Sequence, residues 1–196
     1  MMTSPLLEDD GRLVAKEPGE RSQAWMAALG TGLLLLGLVV GIAALSVRGY
    51  ASGVMLVDAR RLLRIVLATA VMSVATLLLH EMLHGLGMLL LRARPRFGAG
   101  VMSPGLPYVY TTSEGHLFTR WQYIVIAALP NVLLNVLLLL LMLVGPAPSW
   151  WVIPFALHLS GGVGDMWLCW AAYAEVPGTR VEDRRGGIRV LRPDAS

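Results

Sequence analysis

The sequence predicts an all-α integral membrane protein with four transmembrane helices and a short cytoplasmic β-prone loop between helices two and three. Three observations lead to this fold class. The 196 residues are 56% hydrophobic and only 15% charged, whereas soluble domains carry roughly a quarter charged residues. Four nearly uncharged stretches reach the length of about 20 residues that crosses a bilayer core of about 30 Å. The basic residues lie between these stretches and do not form one face, which argues against a nucleic-acid partner.

The four predicted helices cover residues 24–47, 65–91, 122–144 and 149–174. An acidic segment with two prolines, residues 1–23, precedes the first helix, so this helix is not expected to be a cleaved signal peptide. We expect residues 1–23 to form a mobile tail, residues 24–175 to form the membrane domain in the lipid bilayer, and residues 176–196 to form a second tail.

Lys and Arg in the flanking segments predict the orientation. The two terminal segments and residues 92–121 hold twelve of these residues, whereas residues 48–64 hold four. Because basic residues accumulate on the cytoplasmic side, both termini are expected in the cytoplasm of a multi-pass cell-membrane protein.

The segment between the second and third helices contains several glycines and prolines and then a β-prone run, Tyr108-Val109-Tyr110. This pattern predicts a short strand or hairpin on the cytoplasmic side.

Gly37 and Gly41 form a GxxxG pattern in the first helix. Small residues at this spacing allow a partner helix to approach closely. The single cysteine, Cys169, excludes an intrachain disulfide and a cysteine-based zinc cluster.

The second helix contains His80-Glu81-Met82-Leu83-His84. Helix positions i and i+4 share one face, so both imidazoles can bind one Zn²⁺ ion, and Glu81 can act as general base on a water. The alternative is a structural role in helix packing. Ionisable side chains inside a membrane span usually mark a functional site, which favours the metal.

A catalytic zinc site usually has three protein ligands, so a third ligand is expected. At about 1.5 Å per residue, His80 lies about 22 Å along its helix, Asp165 about 24 Å along the parallel fourth helix, and His158 about 13 Å. Depth therefore favours Asp165, which follows a glycine-rich run that lets the backbone approach. His158 remains the alternative ligand or a hydrogen-bond partner of the site.

The third helix runs in the opposite direction and places Asn131 at a similar depth, just after Pro130. Its amide could orient substrate or stabilise an oxyanion. An interhelical hydrogen bond is an equally good interpretation.

These residues resemble two groups of proteins. A motif of the form His80-Glu81-Met82-Leu83-His84 in a membrane helix, with an aspartate in a later helix, resembles the intramembrane zinc metalloproteases of the site-2 protease type. A compact four-helix bacterial family described as putative zincin peptidases, of unknown function, is more similar. Sequences of this family are similar to residues 106–113, to Arg120-Trp121-Gln122-Tyr123-Ile124 and to Leu129-Pro130. The resemblance covers roughly residues 65–192.

The resemblance implies His80, His84 and Asp165 as ligands of one zinc ion and Glu81 as the catalytic acid and base. The chain differs from the site-2 group because Gly164-Asp165 replaces the usual Asp-Gly and no Asn-Pro precedes it. We also expect no PDZ-like domain.

The leading hypothesis is a membrane-embedded zinc metalloprotease that hydrolyses peptide bonds in membrane proteins or peptides. Extended substrate would add to the strand around Tyr108, Val109 and Tyr110. The alternative is a non-catalytic metal-binding membrane protein that serves as a sensor, a transporter or a pseudoprotease scaffold. Glu81 separates the two hypotheses, because metal binding alone does not require an acid between the ligands.

Overall fold

A computed structural model describes residues 13–50, 58–102 and 106–193. Four helical segments in this part are long and apolar enough to cross a membrane. The helices are α1 (Glu20–Val47), α2 (Ala59–Leu90), α3 (Arg120–Leu143), α4 (Val152–Gly161) and α5 (Val163–Tyr173), with a short 3-10 turn at Pro148–Trp150. The strands are β1 (Leu13–Lys16), β2 (Arg96–Met102), β3 (Leu106–Thr112), β4 (Phe118–Thr119), β5 (Arg180–Arg184) and β6 (Gly187–Leu191).

Local sequence sets where the helices begin. The Asp58 side chain accepts a hydrogen bond from the backbone N–H of Arg61 and caps α2. Thr119 and Gln122 form a reciprocal capping box at the start of α3. Such caps satisfy backbone N–H groups that have no partner within the helix. For this reason α2 begins six residues before the predicted apolar stretch, within its basic flank.

The fourth span is two helices and not one. It breaks at Gly162, between α4 and α5, where the glycine-rich run of the sequence lies. A Cβ at residue 162 would clash with the side chain of Asn131 on α3. The break therefore brings the α3 side chain against the backbone at the start of α5.

Gly37 and Gly41 pack against α4 of the same chain. A Cβ added at Gly37 would lie 2.7 Å from Cα of Ala156, and one at Gly41 would lie 2.5 Å from a methyl of Val152. The helix that approaches closely, as the GxxxG pattern predicts, is therefore α4. The sequence alone did not specify which helix this would be.

The helix α2 packs on few neighbours. Only 6% of its most apolar window is buried, compared with 39% for the fourth span. Its exposed side chains are predominantly leucine and valine. In a membrane such a helix would have most of its circumference in contact with lipid.

Two antiparallel sheets accompany the helices. The hairpin of β2 and β3 confirms the predicted β-prone segment and packs against α2. The second sheet has the strand order β1-β6-β5-β4. Because its strands adjoin the starts of α1 and α3 and the end of α5, this sheet lies at one end of the bundle.

The second sheet corrects the all-α prediction, and it corrects the expectation of tails. Residues 13–16 of the predicted N-terminal tail pair with β6, while the earlier residues lie outside the described part. Most of the predicted C-terminal tail forms the β5–β6 hairpin. The alternation of the buried Ile188 and Val190 with the less buried Arg189 in β6 was the available signal. The many charged residues of this C-terminal segment obscured that pattern.

Two buried glutamates fasten this sheet to the bundle through ion pairs. Glu175, which follows α5, accepts two hydrogen bonds from Arg192 at 2.8 and 3.1 Å and forms an ion pair with Lys16 of β1. Glu182 of β5 pairs with Arg189 of β6 and accepts a bond from the backbone N–H of Gly115. Strands β1 and β6 are thus held at the same end of the bundle.

Candidate metal centre

The two histidines of α2 lie one turn apart and face Asp165 of α5. The Nε2 atoms of His80 and His84 are 3.1 Å apart. Oδ2 of Asp165 lies 3.1 Å from Nε2 of His80, and Oδ1 lies 3.4 Å from Nε2 of His84. The i, i+4 spacing places the two rings on the same face of α2, and the helix break at Gly162 places Asp165 in the first turn of α5.

This arrangement fits a zinc ion. Ligand atoms of all three side chains lie within 4.8 Å of one another, so the group could hold a metal. Zn–N and Zn–O bonds of about 2.0–2.1 Å in a tetrahedron imply ligand-to-ligand separations of about 3.3 Å, close to those between the three side chains. Two imidazoles and one carboxylate are also a donor set that catalytic zinc sites use.

The position of the proton on His84 follows from its neighbour on α3. Nδ1 of His84 lies 3.1 Å from the carbonyl oxygen of Ile126. A carbonyl oxygen only accepts, so Nδ1 carries the hydrogen and Nε2 presents its lone pair to the centre. The carbonyl of Ile126 is available because Pro130, four residues later inside α3, has no N–H to bond to it.

His80 is held by a second chain of hydrogen bonds. Its Nδ1 lies 3.0 Å from Nε2 of His158, and Nδ1 of His158 lies 2.9 Å from Oδ1 of Asn135. With a hydrogen on each Nδ1, every donor in this chain meets an acceptor and Nε2 of His80 keeps its lone pair. In the structure His158 therefore lies behind His80, and Asp165 occupies the third position of the cluster.

Asn131 holds Asp165. Its Nδ2 donates to Oδ2 of Asp165 at 2.9 Å and to the carbonyl oxygen of Gly162 at 3.3 Å. Both amide hydrogens are engaged in this way, which is the interhelical hydrogen bond that the sequence left open. An oxyanion role for Asn131 has no free donor in this arrangement.

Glu81 lies between two cavities that meet at the cluster. The smaller, of about 250 Å³, is lined by Glu81, His84 and Asp165 and extends towards the β5–β6 turn. The larger, of about 580 Å³, is lined by His80, Glu81 and Asp165 and extends between α2 and α4. A substrate and a water molecule therefore have room beside the three potential ligands.

Strand β3 runs along both cavities. Tyr108 and Val109 line the larger cavity, and Tyr110 lines the smaller. Thr111 fastens the strand to α2, because its hydroxyl donates to the carbonyl oxygen of Glu81 at 3.0 Å. The predicted strand thus lies directly beside the motif.

Sequence reasoning missed the contribution of the β5–β6 hairpin. Asp183, Arg184 and Arg185 line the smaller cavity, although they belong to the predicted tail. Asp183 is buried and accepts a hydrogen bond from the Tyr123 hydroxyl at 2.7 Å. Burial raises the pKa of Asp183 to about 7, while the bond from Tyr123 opposes this rise. No sequence motif identifies these residues, because they reach the site only through the pairing of strands within the second sheet.

The fold and the cluster define a class: an apolar helix bundle in which a histidine pair of the zincin type meets a carboxylate from a later helix. Residues 73–178, more than half of the chain, match the family described as "Putative zincin peptidase". The chain belongs to this family, which confirms the predicted resemblance to the putative zincin peptidases and indicates a zinc metallopeptidase. The matched region includes the motif on α2 and Asp165. No curated protein and no solved structure matches the chain.

Proposed function

We propose that this protein is a membrane-embedded zinc metalloprotease that cleaves membrane proteins or peptides. One observation supports this most directly: His80, His84 and Asp165 converge within 4.8 Å of one another, and Glu81 lines both cavities beside them. A purely structural cluster would not require an acid open to two cavities. The similarity to site-2 proteases belongs to this proposal and rests on the motif and the later aspartate.

The metal and the surrounding residues would have separate roles in the reaction. Zinc, when bound by the two histidines and Asp165, supplies a Lewis acid that polarises the scissile carbonyl and lowers the pKa of a water. Glu81 takes a proton from the attacking water and passes it to the leaving amine. Asn131, His158 and the carbonyl of Ile126 keep the ligand atoms in position.

The substrate would bind as an extended strand. A transmembrane helix keeps its carbonyls hydrogen-bonded, so a substrate segment must unwind before its carbonyl can be attacked. Strand β3 pairs with β2 along one edge, and its position beside both cavities suits β-augmentation by such a segment. Replacing residues 108–110 with Gly-Ser-Gly should then lower cleavage while zinc binding is kept. Unchanged cleavage would count against this mode of binding.

The orientation of the protein is part of the proposal. The four-stranded sheet adjoins one end of the bundle, and the excess of basic residues in the segments at that end favours the cytoplasm for it. Water would then reach the site from the cytoplasm through the smaller cavity.

The decisive experiment compares the wild type with Glu81→Gln in lipid nanodiscs. We expect both proteins to bind one zinc ion, and we expect the variant to cleave a panel of single-span membrane proteins roughly 10²–10⁴-fold more slowly, because the general base is lost. Glu114→Gln is the matched control, since Glu114 is exposed and lies outside both cavities. Zinc binding without cleavage of any substrate by the wild type would favour a non-catalytic metal-binding protein. Equal cleavage by Glu81→Gln would refute the assigned role.

A further inference from the structure

Arg185 places a positive charge at the opening of the smaller cavity. It lies in the turn between β5 and β6 and lines this cavity together with Glu81, His84 and Asp165. The turn requires a glycine, because Gly186 has φ +88°. The guanidinium therefore shares a cavity with the proposed catalytic groups.

Two tyrosines of β3 hold this guanidinium. Nε of Arg185 donates to the Tyr108 hydroxyl at 2.9 Å. The guanidinium carbon lies 5.7 Å from the ring centre of Tyr108 and 5.1 Å from that of Tyr110, within the range of cation–π attraction. Alternate residues of a strand share one face, so both rings support the same side chain. Gly100 of β2 leaves room for it, since a Cβ there would lie 2.8 Å from Nη2.

The charge of Arg185 is not neutralised by a carboxylate within the residues that the structure describes. Its neighbour Arg184 lies 3.4 Å from the carboxylate of Glu182, and Arg189 and Arg192 pair with Glu182 and Glu175. Arg185 has only the tyrosine contacts. A guanidinium presents five N–H donors in a fixed fork that matches a carboxylate. In Arg185, one of these donors binds the Tyr108 hydroxyl.

The acids of the same cavity lie on its inner side. Asp165 contacts the two histidines, Glu81 belongs to α2, and Asp183 is turned inward to Tyr123. Asp183 is buried, whereas the next residue, Arg184, is exposed. A ligand entering past the turn meets the arginines before it meets these acids.

We infer that Arg185 recognises a carboxylate of the substrate, placed within a few residues of the scissile bond on the side that faces the β5–β6 turn. This inference rests on the proposed protease function and names its substrate class: extended, apolar segments that carry one carboxylate. The carboxylate belongs to an Asp or Glu side chain or to a peptide C-terminus. Because the same tyrosines lie on the strand proposed to bind substrate, recognition and strand addition would occur together.

The test measures binding without cleavage. The Glu81→Gln protein in nanodiscs is titrated into short peptides of Ala, Leu and Val that carry an uncharged BODIPY label at the N-terminus. Three matched forms are compared: a central Glu with an amidated C-terminus, a central Gln with an amidated C-terminus, and a central Gln with a free C-terminus. Empty nanodiscs correct for partition into lipid. The same titrations are made with Arg185→Gln, Arg185→Lys and Arg180→Gln added to Glu81→Gln. Arg180 is exposed on β5 and does not line the cavity, so Arg180→Gln controls for the loss of one charge.

We expect the protein with Arg185 to bind at least one carboxylate peptide about fivefold more tightly than the neutral peptide, as for a solvent-exposed charge pair, and less so at high salt. Arg180→Gln should keep this preference, Arg185→Gln should abolish it, and Arg185→Lys should keep part of it. The peptide that is preferred distinguishes a side chain from a C-terminus. Equal binding of all three peptides, absence of binding, or a preference that survives Arg185→Gln overturns the inference. None of these results affects the proposed protease function, which stands or falls with cleavage by the wild type.

Discussion

His84 donates a hydrogen bond from Nδ1 to the carbonyl oxygen of Ile126, at 3.1 Å, across the interface of α2 and α3. This carbonyl has no helical donor, because the residue four positions later is Pro130. The missing N–H of Pro130 in α3 thereby determines which nitrogen of His84 on α2 faces the proposed metal. The relationship links a proline in an apolar sequence to the chemistry of the site.

Pro130→Ala should weaken zinc binding. The new N–H would compete for the carbonyl of Ile126, so His84 would be held less firmly in the tautomer that presents Nε2. Changes in such supporting hydrogen bonds typically reduce metal affinity about 10–100-fold, and we expect the lower end of that range because one carbonyl oxygen can accept two bonds. Competition with a zinc chelator measures the effect. Pro154→Ala is the control, since Pro154 lies in the first turn of α4. Equal zinc affinity of the wild type and Pro130→Ala would contradict the prediction.

His158→Ala and Asp165→Ala should have different effects on zinc. His158 lies behind His80, so its loss should reduce affinity roughly 10–100-fold while one ion still binds at saturation. Asp165→Ala removes a proposed ligand and should prevent stoichiometric binding. Metal analysis after equilibration with excess zinc distinguishes the two outcomes, with His116→Ala as the histidine control outside the cluster. Loss of stoichiometric zinc in His158→Ala and its retention in Asp165→Ala would make His158 the ligand.

Asp183→Asn should change how stability depends on pH. Burial raises the folded-state pKa of Asp183 from 3.8 to about 7, so between these values the folded protein binds a proton that the unfolded chain releases. Stability should therefore fall as pH rises through this window, by about 1.4 kcal/mol per pH unit from this group. The Asn variant keeps an acceptor for Tyr123 and should lack this loss, so its advantage over the wild type should grow from about pH 4 to about pH 7 and then level off. Thermal unfolding in detergent across this range measures the difference, and a constant difference would refute the assignment.

Glu175→Gln should loosen the second sheet. The hydrogen bonds from Arg192, and then the contact with Lys16, lower the pKa of Glu175 to about 2. This stabilisation is present above the ordinary value of 4.5 and is lost as pH falls towards 2. We expect faster amide hydrogen exchange in β1 and β6 of the variant at neutral pH, and a smaller difference from the wild type in acid. Mass spectrometry of peptides that cover these strands provides the measurement. Glu114→Gln should leave their exchange unchanged, and equal exchange in Glu175→Gln would show that the ion pairs do not hold the strands.

The sequence predicted part of the cluster correctly because helical geometry is local. His80 and His84 are four residues apart in a long apolar segment, and the regular turn of a helix brings them together whatever surrounds it. The depth comparison for Asp165 also needed only helix rise. The same comparison could not show that Asn131 donates to Asp165 rather than towards a substrate, because that depends on side-chain directions across two helices.

By itself, the sequence determined the apolar helices, their approximate bounds, the histidine pair and the family. All of these depend on hydrophobic length and short-range spacing, which a single chain displays directly. The tertiary structure alone decided three other features: the break at Gly162 that brings α5 to α2, the hydrogen-bonded position of His158, and the return of β5 and β6 to the site. These features depend on contacts between residues far apart in sequence. In the C-terminal segment, strand pairing and the burial of Val181, Ile188 and Val190 outweigh the local charge density that indicated a tail. Arg185 beside Tyr108 is the clearest example, because these side chains are 77 residues apart in sequence and belong to two different sheets that meet only in the folded protein.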